Sequence, residues 1–160
     1  MNMNRKICFV CTGNACRSPF AECVMKKLLA DAGMDNIEVF SVGTLDWGEN
    51  PRDAAMADVA EEMGYELTGM TTAMTRDKLM EADIIIVFDQ RHRDAVTSML
   101  DYSNWDRIVL FNKIAWNMDG NVEDPHYQSA AVYRRVAQHI ENGCKQLIEK
   151  LSQYPPEPED

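Results

Sequence analysis

Ile7-Cys8-Phe9-Val10-Cys11-Thr12-Gly13-Asn14-Ala15-Cys16-Arg17-Ser18-Pro19 decides how this chain is read. The first four residues are a short apolar run, the pattern of a strand covered on both faces. Thr12, Gly13 and Asn14 then interrupt it with turn-forming side chains. A helix is expected to open behind them, with Ser18 as its N-cap and Pro19 at its first position. Phe20, Val24 and Leu28 supply its apolar stripe, Ala21, Met25 and Leu29 lie beside them, and the helix ends near Gly33.

Outward from this segment the alternation repeats. Ile37 to Val42 predicts a second strand, and Asp53 to Met63 a helix closed by Gly64. A short helix over Thr75 to Glu81 precedes the strand Ile84 to Phe88. Arg91 to Leu100 predicts a helix, Ile108 to Phe111 a fourth strand, and Ser129 to Leu151 a long helix striped by Val132, Val136, Ile140, Cys144, Leu147 and Leu151. Strands alternating with helices imply crossover connections. The expectation is an α/β fold: one domain over residues 1–152, with a four-stranded parallel sheet, doubly wound with helices on both faces. Residues 153–160, acidic and proline-rich, are expected to form a disordered tail. In such sheets ligands sit beyond the carboxyl ends of the strands, where strand order reverses, which directs attention to the loop after the first strand.

The composition narrows the function classes. With 160 residues and 46% hydrophobic content, the chain can bury a core without disulfides or a structural metal. Sixteen basic against 26 acidic residues, a formal charge of -10, oppose nucleic acid and anionic membrane surfaces as partners. The cysteines (Cys8, Cys11, Cys16, Cys23 and Cys144) are odd in number and clustered, unlike a secreted disulfide framework. The N-terminal residues lack a signal-peptide pattern, and no apolar stretch approaches the roughly 18 residues of a membrane helix. A cytoplasmic protein with reduced thiols is the expectation.

Cys11 to Ser18 carries the chemistry. Five residues between a cysteine at a strand's end and an arginine at a helix start can wrap so that successive N–H groups converge on one anion. The helix N-terminus adds free N–H groups and its positive dipole end. Gly13 and Asn14 tolerate positive φ. Arg17 offers a planar fork matched to two phosphate oxygens. The same donors favour a thiolate at Cys11, and the Ser18 hydroxyl can add a hydrogen bond to the sulfur. A nucleophile beneath a cradle of anion donors suits phosphoryl transfer through a phosphocysteine. Charge does not oppose this, because one phosphate needs only one arginine and oriented N–H groups.

Other readings of the thiols are weaker. Cys8-Phe9-Val10-Cys11 is a C-x-x-C lying in a strand instead of opening a helix, and Cys8 reads as core. Zinc on Cys8, Cys11 and Cys16 would lack a second ligand pair, and no G-x-x-x-x-G-K nucleotide loop is present. No metal or cofactor is therefore expected. Cys16 has two open readings: a partner that traps oxidised Cys11 as a disulfide, or a small residue packing the loop.

Residues 11–19, CTGNACRSP, resemble the signature of the low-molecular-weight protein tyrosine phosphatases. The similarity continues through Ser41 to Thr44, Trp47, Phe88-Asp89 and Asp124-Pro125, spanning about Lys6 to Leu151. The resemblance implies hydrolysis of phosphotyrosine in proteins, and of aryl phosphates, with Cys11 as nucleophile. Arg17 would bind phosphate together with the loop residues Thr12, Gly13, Asn14, Ala15, Cys16 and Ser18. Asp124, stiffened by Pro125, would be the general acid and then the base. Trp47 would form an aromatic wall for the substrate ring, with His126 and Tyr127 at the rim. The partners implied are phosphotyrosine proteins and a cognate tyrosine kinase, the protein acting as a monomer.

Two positions depart from the family pattern. His126 stands where relatives often carry tyrosine, and is read either as a rim charge below about pH 6.5 or as a solvated loop residue. Gly69-Met70 stands where relatives often carry Gly-His, and Met70 cannot replace an imidazole that supports the loop asparagine. How Asn14 is held is left open. An arsenate reductase on the same scaffold is the alternative activity, opposed by the lack of any cysteine between Cys23 and Cys144. A phosphotyrosine-binding pseudoenzyme or a redox sensor is the alternative from another class, opposed by Cys11, Arg17 and Asp124 together.

Overall fold

The computed structural model describes residues 4–153. Eleven elements follow in order: β1 (Arg5–Cys11), α1 (Arg17–Asp31), β2 (Ile37–Gly43), α2 (Ala54–Glu62), α3 (Arg76–Glu81), β3 (Ile84–Val87), α4 (Gln90–Met99), a 3₁₀ segment (Tyr102–Arg107), β4 (Ile108–Leu110), α5 (Phe111–Trp116) and α6 (Ala130–Gln153). The four strands form one parallel sheet in the order β2-β1-β3-β4. Residues 154–160 of the expected tail lie outside the described residues.

Pleating sorts the side chains of the central strands. Ile7, Phe9 and Cys11 of β1 and Ile86 of β3 pack with α1, α2, α5 and α6 on one face. Cys8, Val10, Ile85 and Val87 point the other way, to Leu79 of α3 and Val96 of α4. This explains why β1 and β3 read as unbroken apolar runs: both faces are covered, so no polar alternation is tolerated. Phe9, Phe20, Phe88 and Phe111 are fully buried, each contributing about 1.5–3 kcal/mol of transfer free energy. The crossovers from β1 and β3 leave in opposite directions, so their following loops diverge and open a crevice above the sheet.

Two expectations are corrected. The first concerns α1, which begins at Arg17 with Cys16 in the cap position, whereas Ser18 was expected to cap it. Ser18 is fully buried and its hydroxyl is engaged with Cys11 and Asn14, while Cys16 makes no side-chain cap. The first turn of α1 is thereby left uncapped beside the loop. The second concerns Phe111, expected to end the fourth strand. It opens the short helix α5 instead, because its ring stacks on Phe88 at 5.2 Å and meets Trp116 edge-on at 6.2 Å. A Cβ on Gly143 of α6 would run into that ring, so the glycine lets α6 lie close against α5.

Among the described residues no helix is long and apolar enough to cross a membrane. All five cysteines are free thiols. Cys8 and Cys144 are core residues, and burial pushes both thiols up. Cys23 is half-buried and pushed up to about 12, mainly by burial and then by Glu22.

Candidate active site

The loop from Cys11 to Cys16 is shaped from outside. Five consecutive carbonyls each accept a hydrogen bond from a donor that the rest of the fold supplies, and a sixth, Cys16 O, takes the first helical bond of α1. Thr44 N–H donates to Cys11 O and Leu45 N–H to Thr12 O, both at 2.9 Å. Trp47 Nε1–H donates to Gly13 O at 3.0 Å, and Arg52 Nη1–H to Asn14 O. Asp53 N–H donates to Ala15 O at 2.9 Å and Phe20 N–H to Cys16 O at 3.1 Å. In a trans peptide the N–H points opposite to the carbonyl. Holding the carbonyls outward therefore turns the N–H groups of residues 12–17 inward, the arrangement that binds an oxyanion.

Asn14 makes the turn possible. It has φ of 54° and is fully buried, and its amide uses all its hydrogen-bonding capacity. Nδ2 donates to Ser18 Oγ and Ser41 Oγ, both at 2.9 Å. Oδ1 accepts from Arg52 Nη1 at 2.7 Å and Thr72 N–H at 2.9 Å. The Ser41 hydroxyl in turn donates to Glu22 Oε1 at 2.6 Å. Ser18 Oγ, having accepted from Asn14, lies 2.9 Å from Cys11 Sγ, to whose thiolate it can only donate, and 3.5 Å from Val42 O. The Ser18 N–H also reaches the sulfur at 3.4 Å. The hydroxyl and the N–H of Ser18 thus converge on one buried sulfur and fix its position at the base of the loop.

Arg17 is 2% exposed and held on both sides. Nη1 donates to Val122 O at 3.0 Å and to Asp89 Oδ2 at 3.3 Å; Nη2 lies 3.6 Å from Asp124 Oδ2. Asp89 caps α4 through the N–H groups of Arg91 and His92. Burial works against its charge, but His92, the cap N–H and Arg17 together hold the carboxyl below its usual range. Val122 also donates its N–H to Phe88 O at 2.8 Å, fixing the segment that leads to Asp124 over the end of β3.

A cavity of about 590 Å³ opens above the loop. Cys11, Thr12, Gly13, Ala15, Cys16 and Arg17 form its floor, and Trp47, Asp124, His126 and Tyr127 its walls. Asn14 and Ser18 lie behind the loop and contribute from there. Trp47 is half exposed, its indole against Gly13. Asp124 is 41% exposed at the cavity wall and accepts the His126 N–H at 3.1 Å. Among the described residues no cluster of three or more ligating side chains could hold a metal ion.

The family model described as low molecular weight phosphotyrosine protein phosphatase matches residues 6–155. The chain belongs to that family. Among its relatives, the low-molecular-weight protein-tyrosine-phosphatase YfkJ of Bacillus subtilis is 30% identical over 91% of this chain and 94% of its own. The protein-arginine-phosphatase of the same organism is 27% identical over 91% of this chain and 95% of its own. Among solved structures, a protein tyrosine phosphatase from Entamoeba histolytica superposes with a TM-score of 0.87 at 27% identity, covering 93% of this chain and 97% of that one.

Within this family member, the support of Asn14 comes from an unexpected quarter. Met70 is half exposed and bridges Pro51, whereas Arg52 and the Thr72 N–H take the position facing Oδ1. Arg52, Ser41, Asp53, Asp89 and His92 were all missed as site residues by sequence reasoning. Ser41 and Asp89 lay within segments that carry the family resemblance, and Asp89 and Asp53 also had a local signal, an acidic residue just before a helix. Tyr133, also missed, donates to Asp53 Oδ2 at 2.7 Å, and burial with that acid raises its phenol.

Proposed function

We propose that this protein hydrolyses phosphotyrosine in proteins through a phosphocysteine. The Cys11 thiolate attacks phosphorus while Arg17 and the loop N–H groups hold the three equatorial oxygens. The P–O bond to the tyrosyl oxygen breaks, and Asp124 gives that oxygen its proton. Asp124, now a carboxylate, takes a proton from a water that attacks phosphorus. The P–S bond breaks, releasing inorganic phosphate and restoring the thiolate. Trp47, beside Gly13, provides a flat apolar wall for an aryl ring, with His126 and Tyr127 at the mouth.

The observation that carries this reading is the convergence on one cavity of a doubly hydrogen-bonded Cys11 sulfur, six outward-held loop carbonyls and Arg17, with Asp124 opposite. The setting proposed with it is a monomer in the cytoplasm acting on phosphoproteins opposite a tyrosine kinase, without nucleic acid, membrane or cofactor.

The test is turnover of a phosphotyrosine peptide with chelator present, run beside Cys11→Ser and Asp124→Ala. Cys11→Ser is expected to abolish turnover. Asp124→Ala is expected to lose about 10²–10⁴ in rate on phenyl phosphate and far less on activated aryl phosphates. Equal losses across the leaving-group series would remove Asp124 from the acid role. A phosphoarginine peptide serves as the competing substrate; its preferred turnover would replace the substrate class and leave the cysteine chemistry standing.

A further inference from the structure

His92 is 1% exposed, on the first turn of α4, and the catalytic steps above do not use it. Its two ring nitrogens face different groups. Nδ1 lies 3.2 Å from the backbone N–H of Asp89, which can only donate, so Nδ1 must accept and carries no proton. The proton of the neutral ring is therefore on Nε2. Nε2 lies 2.9 Å from Thr12 Oγ1 and 3.5 Å from Arg17 Nη2. The guanidinium is itself a donor and Asp89 Oδ2, at 3.6 Å, lies beyond hydrogen-bond reach, so the hydrogen bond from Nε2–H runs to Thr12.

The surroundings keep the ring neutral. Burial and then Arg17 lower its pKa to about 4, against the opposing pull of Asp89, with Arg91 and Asp124 acting at longer range. Protonation would also set an Nδ1–H against the Asp89 N–H and break that half of the capping box of α4. A hydroxyl that accepts from a ring N–H has its own proton free for another acceptor. Thr12 is the residue after Cys11, it is exposed, and it lines the cavity.

We propose that His92 is a positioning residue for the phosphate loop, its Nε2–H fixing Thr12 so that the Thr12 hydroxyl donates to an oxygen of the bound phosphoryl group. The loop then offers a side-chain donor in addition to its N–H groups and Arg17. Asp89 serves both arrangements: its N–H sets the tautomer, and its carboxylate holds Arg17. The proposal rests on the phosphatase reading, but the two fail differently. If the reading fails, the wild-type protein turns over no phosphotyrosine; if the proposal fails, the wild-type protein is active and the couplings below are missing.

The test is a double-mutant cycle on inhibition by inorganic phosphate. Thr12→Val keeps the shape and removes the hydroxyl. His92→Asn keeps an acceptor for the Asp89 N–H but withdraws from Thr12. Each single variant is expected to weaken phosphate inhibition about tenfold, and the double variant no more than either single one. Additive losses, or His92→Asn with unchanged inhibition, would overturn the proposal. Nitrogen-15 NMR of the wild-type imidazole, which needs no variant to fold, is expected to show the Nε2–H tautomer between pH 5.5 and 8, shifting when phosphate is added. An Nδ1–H tautomer, or no response to phosphate, would overturn it equally.

Discussion

Arg52 Nη1 donates to both the backbone oxygen and the side-chain Oδ1 of Asn14, clasping the one loop residue in left-handed conformation. The guanidinium is half-buried, and its Nε is spent on Thr68 O at 3.1 Å. This clasp supports Asn14 where Met70 stands in place of the histidine that the family resemblance implies. It pulls one carbonyl outward and fixes the amide whose Nδ2 orients Ser18.

Arg52→Met should therefore lower kcat/KM while leaving the substrate contacts in place. The buried Oδ1 and carbonyl of Asn14 each lose a charged donor, and an unsatisfied buried acceptor costs about 1–3 kcal/mol. A fall in kcat/KM of about 10–100-fold and a lower denaturant midpoint are expected. Arg52→Lys restores a charge but not the fork, so it should recover only part of both. Full activity in Arg52→Met would show that Thr72 N–H alone suffices.

Gly43 closes β2 directly behind the loop. A Cβ there would lie 2.7 Å from Thr12 O and 2.9 Å from Asn14 N, both backbone atoms that cannot swing aside. Gly43→Ala must push the loop toward the cavity, with an overpacking cost of about 1–3 kcal/mol. Vanadate affinity should fall together with stability. Unchanged vanadate binding would mean that the displacement is taken up by β2.

Ser18→Ala removes the shorter of the two donors on the Cys11 sulfur and one acceptor for Asn14 Nδ2. The thiolate loses a hydrogen bond to a charged acceptor, worth about 1.5–3 kcal/mol. Alkylation of Cys11 by iodoacetate at neutral pH is expected to slow, and kcat to fall more than KM rises. Unaltered alkylation would assign thiolate stabilisation to the Ser18 N–H and the end of α1.

These sites also show where sequence reasoning reached its limit. β1, β3 and the long helix α6 were legible because their apolar patterns are local and both faces of the sheet are covered. Cys11 and Arg17 were singled out by local signals, a strand end and a helix start, and Asp124 by the family resemblance, since Asp-Pro alone marks a turn; the fold brings all three to one cavity. Arg52, Ser41 and His92 act across 38, 27 and 80 positions of chain on Asn14 and Thr12, and no periodicity encodes such pairings. Phe111 misled because an apolar residue after Ile108-Val109-Leu110 reads as more strand. What turns the chain is its stacking on Phe88, a contact made only in the folded sheet.

Buried His92 and half-buried His139 should make the fold acid-sensitive above the range where carboxylates titrate. In the unfolded chain His92 protonates near pH 6.5, whereas in the folded protein it does so near 4. Between these values the unfolded state binds the extra proton, so stability is full above about pH 6.5 and declines as pH falls toward 4. The shift corresponds to a loss on the order of 3 kcal/mol. His139, held by Asn112 Oδ1 at 2.7 Å and lowered by burial, acts in the same direction. Urea midpoints measured from pH 7.5 to 4.5 should fall steadily in the wild-type protein. His92→Asn should start from a lower midpoint at pH 7.5 and fall more gently, closing the gap at pH 4.5, and His139→Asn should remove a smaller part of the slope. Parallel curves for wild type and His92→Asn would mean that His92 titrates alike in both states, and the buried neutral ring would have to be abandoned.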